Sequence, residues 1–269
     1  MKTLFKFNLR PTRIESFFYA ILFQFVLFGL YFAHTNNTYF ESVFVVEDGL
    51  VEWLTVLWLI LTAGLCIKRF TSLQGKRPKF FLAMLLIFSA IFIFGAGEEI
   101  SWGQRLLNVQ SSDFFQTHNA QGETNLHNLV VSGKKINKMI FGVALGIIIG
   151  VYCLLLPTLA RKYKPVMKLV QKFAVPIPRG RHVLAYLLLF LLVEINPSPK
   201  RGELIEFGGT LIFFLIFLNP WNRRAFSLEQ NPHHQNHRGN YRGNSPRRGN
   251  YRGKKPNHQN RQQNKPAES

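Results

Sequence analysis

FFLAMLLIFSAIFIFGAGEEISWGQ (80–104) decides the fold. Residues 80–97 carry no charge, and their length approaches the ~20 apolar residues that a membrane-spanning helix needs. The run then closes on two adjacent carboxylates, Glu98 and Glu99. An ionised side chain is costly in hydrocarbon, and where one occurs in a membrane segment it marks a functional candidate. The helix dipole also disfavours acids at a C-terminal helix end, so these two need another cause.

Similar apolar runs lie at 16–33, 50–67, 139–156, 182–195 and 204–219. With 80–97 they predict an all-α, polytopic membrane helix bundle of about six transmembrane helices, preceded by a short N-terminus (1–15). The last two runs are short and flank Pro197 and Pro199, so a re-entrant hairpin is the alternative there. The first run has no clean small-x-small site after it and reads as an uncleaved anchor. Cys66 and Cys153 are the two cysteines, both in apolar runs, which argues against a disulfide framework. Beyond residue 222 the composition changes. Residues 227–269 are rich in Asn, Gln, Arg, Gly and Pro with almost no aliphatics, so 223–269 is expected to be a disordered basic tail.

The formal charge of +19 is unevenly distributed. With the N-terminus inside, 27 of the 33 Lys and Arg fall in inner segments. Short loops rich in Lys and Arg stay in the cytoplasm, so both termini are expected there. The acids run the other way: of 14, only Glu15, Glu229 and Glu268 fall inside. The outer end should therefore gather carboxylates from several helices.

Four motifs feed that end. EDGLVEW (47–53) opens the second span, and GEEISWGQR (97–105) closes the third. HNAQGETNLHN (118–128) lies in the long outer loop, and EINPSPKRGELIEF (194–207) joins the last two spans. Carboxylate and imidazole sets suit divalent metals, and the same groups serve as general acid and base. Glu98, Glu99, Glu123 and His127 are the candidate catalytic residues. Glu52, Glu99, Glu123, His127, Glu194 and Glu206 are the candidate ligands of a divalent metal ion. None of the spacings matches a specific metal signature. Acids such as Asp48, Glu52, Glu203 and Glu206 at helix N-termini also have a plain explanation in the helix dipole, or in structural salt bridges to Arg105, Lys200 and Arg201. His34 and His118 read as ordinary loop polar groups.

The series E-D-G-x-x-E-W, G-E-E-I-S-W-G-Q-R and E-T-N-L-H-N resembles a family of uncharacterised bacterial multi-pass membrane proteins, over about residues 47–207. That resemblance implies a bacterial inner-membrane location but no activity. A fainter similarity to alkaline ceramidases rests on the acid cluster and Glu-aromatic pair that open a helix. The chain departs from them in having no late H-x-x-x-H pair for zinc.

Three functions follow as expectations: a membrane-embedded metal-dependent hydrolase at the outer leaflet, a solute or ion transporter, and a non-catalytic assembly or lipid-organising protein. Gly142, Gly146 and Gly150 form a small-residue stripe suited to close helix packing, within the bundle or in a homo-oligomer. Segment 161–175 mixes Lys with apolar residues at helical spacing and is expected on the inner leaflet. The tail, with RGNYRG at 238–243 and 248–253, is expected to contact anionic headgroups or other polyanions rather than a specific nucleic acid. A chain ending at Asn222 is expected to insert and fold.

Overall fold

Thr12 opens the first helix. Its side chain accepts from the Glu15 backbone N–H at 3.2 Å, and the Glu15 carboxylate accepts from the Thr12 N–H at 2.7 Å. This reciprocal cap satisfies two donors that a helix start leaves free, and helix α1 then runs Arg13–Thr35. The structure, a computed structural model, describes residues 9–126, 128–131, 134–135 and 145–228. Expectations that fall on His127, on Gly142 and on 229–269, including both RGNYRG repeats, lie outside the described residues.

After the connection 36–49, which holds helical turns at Asn37–Tyr39 and Phe40–Phe44, α2 spans Leu50–Leu73 and α3 spans Lys79–Glu99. Gly75, at φ +71°, and Pro78 make the tight turn between them. Ser89 bonds across to the Ala63 carbonyl at 3.2 Å, joining α2 to α3. By length and composition, α1, α2 and α3 can each cross a membrane. The expected fourth run appears as Leu145–Gly150, a π turn at Val151–Leu155 and Leu156–Lys162, here together α4. Helix α5 is Lys164–Lys172, α6 is Gly180–Glu194 and α7 is Gly202–Leu218. At 15 and 17 residues, α6 and α7 fall short of a full ~20-residue span. Apart from a two-residue antiparallel pair, Val130–Val131 with Lys134–Lys135, the described elements are helical.

Helix α7 packs against α1, α2 and α6. Leu22, Val26, Trp58, Leu189, Phe207, Leu211 and Leu215 fill the space between them. Two glycines set the closest approaches. A Cβ on Gly208 would stand 2.6 Å from Leu189 and 2.9 Å from Leu22, and one on Gly29 would stand 2.8 Å from Leu204. Small residues let backbones pack closely in lipid. These two do so here, whereas Gly150 has nothing within 4 Å of a Cβ position. The surroundings of Gly146 lie outside the described residues. Large apolar side chains such as Leu27, Phe28, Ile60 and Ile91 face outward. Cys66 and Cys153 are buried and free.

Candidate functional site

The chain leaves α3 through three successive left-handed residues: Ser101 at φ 47°, Trp102 at φ 57° and Gly103 at φ 74°. Only glycine takes that region freely, and a non-glycine residue held there costs of order 1–3 kcal/mol. The surroundings hold both in place. The Ser101 hydroxyl, fully buried, donates to Glu123 Oε2 at 2.6 Å and accepts from Asn125 Nδ2 at 2.9 Å. The Trp102 ring lies over Gly97, where a Cβ would meet it at 2.8 Å, and its Nε1 donates to Glu98 Oε1 at 3.0 Å. The turn reverses the chain so that Arg105 reaches back over the end of the bundle.

Arg105 collects acids from three segments. Its Nη1 donates to Glu123 Oε1 at 2.9 Å and lies 3.8 Å from Glu47 Oε2. Its Nη2 donates to Glu52 Oε1 at 3.2 Å, and its Nε lies 2.9 Å from Asp48 Oδ2. Glu52 also accepts from the Asp48 N–H at 2.7 Å, closing the turn before α2. Glu47 accepts from the Gln121 side chain. Asn119 donates to the Asn125 side chain at 2.8 Å and caps the Gln121 N–H at 2.9 Å, which folds the outer loop into a fixed shape.

Below the arginine lies a polar cavity of about 70 Å³. A water's share of liquid volume is ≈ 30 Å³, so it has room for a few waters or a small polar group. Glu99 from α3, Glu203 and Glu206 from α7, and Glu52 from α2 line it, with Glu123 and Arg105 at its rim. Unlike the acids around Arg105, the carboxylates of Glu99, Glu203 and Glu206 make no hydrogen bond or ion pair among the described residues. Arg105 lines the same cavity but is taken up by Glu47, Asp48, Glu52 and Glu123, and Lys200 acts on Glu203 through space.

The structure therefore splits the expected set. Glu52, Glu99, Glu123 and Glu206 converge on one cavity. Glu98 does not line it. It is buried, with one oxygen on Trp102 and the other accepting from the Leu126 N–H at 2.6 Å. Glu194 is turned away, 45% exposed and 3.7 Å from Arg201. His127 lies outside the described residues. His118 and His34 bond to carbonyls one turn back in their own helices. Among the described residues no three His, Cys, Asp or Glu side chains are grouped to hold a metal ion. The carboxylates share a cavity without closing into a ligand set.

Arg105 pairs with Asp48 and Glu52, as the salt-bridge alternative for those acids expects, but its reach to Glu47 and Glu123 was unforeseen and Glu203 stood outside the candidate set. The signal for Arg105 was its isolation, since it is the one cation in the motif that follows Glu98 and Glu99. Also unforeseen was a second polar cluster at the opposite end of α1. There Glu15 Oε1 accepts from Arg181 Nη2 at 2.8 Å, Arg181 Nε at 3.0 Å and His182 Nε2 at 2.9 Å. His182 Nδ1 accepts from the Arg179 N–H at 3.3 Å, which assigns the ring proton to Nε2. All three side chains are buried, and together they clamp α1 to α6.

No protein family, curated protein or solved structure matches this chain.

Proposed function

We propose that the chain is a six-span cell-membrane protein with both termini in the cytoplasm, and that its outer-end cavity is the acid/base site of a hydrolase acting at the outer leaflet. One observation carries this reading: Glu99, Glu203 and Glu206, from two helices, line a polar cavity and make no hydrogen bond or ion pair among the described residues. Acids kept only for structure would be spent on salt bridges, as Glu47, Asp48, Glu52 and Glu123 are on Arg105. The left-handed turn at Ser101 and Trp102 supports the same location, because backbone strain collects at functional sites.

Two carboxylates can divide hydrolysis, one taking a proton from water and the other giving one to the leaving group. Glu99 and Glu206, on facing helices, are the pair assigned to this work. Glu203 tunes their field, and Arg105 is placed to meet negative charge developing at the rim. The ungrouped carboxylates do not fit a divalent metal as they stand, so no step is routed through one.

Transport fits less well. The described core between the two ends, Leu211, Ile212, Leu215 and Ile216 with Leu22 and Leu189, is apolar and closed. A non-catalytic assembly role is the second reading, favoured by the Arg105 network itself.

The test uses the full chain in nanodiscs and fluorogenic lipid esters, amides, phosphodiesters and glycosides. At least one class should turn over. Glu99→Gln and Glu206→Gln should each cost about 10²-fold or more, in the range of a lost general acid or base. Glu194→Gln should change nothing. No turnover above protein-free discs in any class would sink the hydrolase reading. A C-terminal reporter that reads outside the cytoplasm would sink the topology.

A further inference from the structure

Helix α5 carries Lys164, Lys168 and Lys172 at four-residue intervals. Residues four apart stack on one face of a helix, and like charges there repel by about 0.2–0.5 kcal/mol per pair. All three lysines are exposed, and none makes an ion pair among the described residues. The opposite face is spent. Val170 is buried, and Val166 and Met167 pack with it against Ala160, Leu156 and Ile177. The helix therefore presents an uncompensated stripe of cations outward and cannot rotate to hide it.

Among the described residues the neighbourhood supplies cations and no free acid. Lys172 Nζ sits 5.3 Å from the Phe80 ring centre and 5.9 Å from that of Phe173, and the two rings meet edge to face at 5.2 Å. This contact brings the start of α3, with Lys79, beside the end of α5. Glu15, the one acid at this end of α1, is buried on Arg181 and His182. Among the cations stand exposed apolar side chains: Tyr163, Leu169 and Phe80.

We infer that the lysine face of α5 is a docking surface for anionic phospholipid headgroups of the inner leaflet. Tyr163 alone separates α5 from the end of α4, so on the six-span reading proposed above the helix begins where that segment leaves the bilayer. A soluble anion would satisfy the lysines but leave Leu169 and Phe80 in water. A lipid surface covers both, with phosphates on the lysines and acyl chains against the apolar residues. The lysine face fixes the depth and tilt of α5 and, through Phe173 and Phe80, of the base of α3. This inference rests on the proposed orientation, with α5 at the cytoplasmic end, and not on the chemistry of the cavity.

The test is hydrogen exchange of residues 163–173 in the full chain, in discs of phosphatidylcholine alone or mixed with phosphatidylglycerol. Exchange should slow by about fivefold or more in the anionic discs, the factor that one lysine–headgroup attraction supplies. Added salt should reverse it. The triple variant Lys164→Gln, Lys168→Gln, Lys172→Gln should lose the lipid dependence while exchange in α2 stays unchanged. The corresponding triple arginine variant should keep it, which guards against a glutamine variant that merely misfolds. Equal exchange in both membranes overturns the inference. So does protection that persists in the glutamine variant, or protection by inorganic phosphate in neutral discs.

Discussion

Arg105 and Glu123 meet at 2.9 Å, tying the turn that ends α3 to the tip of the outer loop. The same guanidinium reaches Glu52 on α2 at 3.2 Å, so one side chain holds three segments over the cavity. Its side chain is a quarter exposed, which leaves it less screened than a surface pair and less costly than a fully buried one.

Arg105→Gln should therefore destabilise the protein by about 1–3 kcal/mol, the cost of leaving partly buried acids unpaired. Adding Glu123→Gln should recover part of the loss, because one of the stranded charges is removed with it. Thermal melts in detergent of both single variants and the double variant check this. Strict additivity would mean that the pair is not coupled.

Gly97 leaves room for the Trp102 ring, and a Cβ there would stand 2.8 Å from two ring atoms. Gly97→Ala should push the indole off Glu98 and loosen the left-handed turn. Overpacking of this kind costs about 1–3 kcal/mol. Trp102→Ala alone should also destabilise, yet in its presence Gly97→Ala should be close to neutral. Melting of the four-member cycle measures this, and an undiminished Gly97→Ala penalty in the Trp102→Ala background would refute the contact's role.

The spans were legible because hydrocarbon imposes a simple rule, long uncharged runs in place of periodic ones. That rule found α1 and α3 to within three residues at either end and α2 at its start, while α2 runs six residues past the expected end. It is weaker for α6 and α7, where the chain between Glu194 and Gly202 buries the polar side chains of Asn196 and Ser198. The convergence of Glu52, Glu99 and Glu206 was legible from sidedness alone. Which acids would be consumed was not. Arg105 reaches its partners only through a left-handed turn, and non-glycine residues in that region leave no pattern in sequence. Glu98 and Glu99 look alike as neighbours, but one helical position separates a buried bond to Trp102 from the cavity.

Glu41 gives a pH signature outside the spans. It accepts from the Ser198 hydroxyl and from the Asn37 amide, each at 2.7 Å, and these bonds hold its carboxyl below the ordinary carboxylate range. A depressed folded-state pKa contributes stability that is present above the unfolded value and is lost as pH falls through the folded one. Ser198→Ala should therefore lower the melting temperature at about pH 6, and the gap from wild type should narrow toward about pH 3. A gap that widens on acidification would contradict the assignment.

The six residues after Asn222 are an anchor. Arg77 Nε donates to the Ala225 carbonyl at 3.0 Å, and its Nη2 donates to those of Arg224 at 3.0 Å and Ser227 at 2.9 Å. Phe226 packs on Phe81 at 5.7 Å, and the Arg69 guanidinium lies 4.5 Å over its ring. The compositional boundary at Asn222 cuts through this anchor, leaving Arg77 with three carbonyls fewer and Phe81 uncovered. A chain ending at Leu228 should melt like the full-length protein, since it keeps every one of these contacts. A chain ending at Asn222 should be less stable by about 1–3 kcal/mol, the range for losing hydrogen bonds to a charged donor. The loss should fall on the base of the α2–α3 hairpin, so hydrogen exchange should quicken around Leu73 and Phe81 but not around Glu99. Equal melts for the two truncations would show that Arg77 finds water as good a partner as the chain.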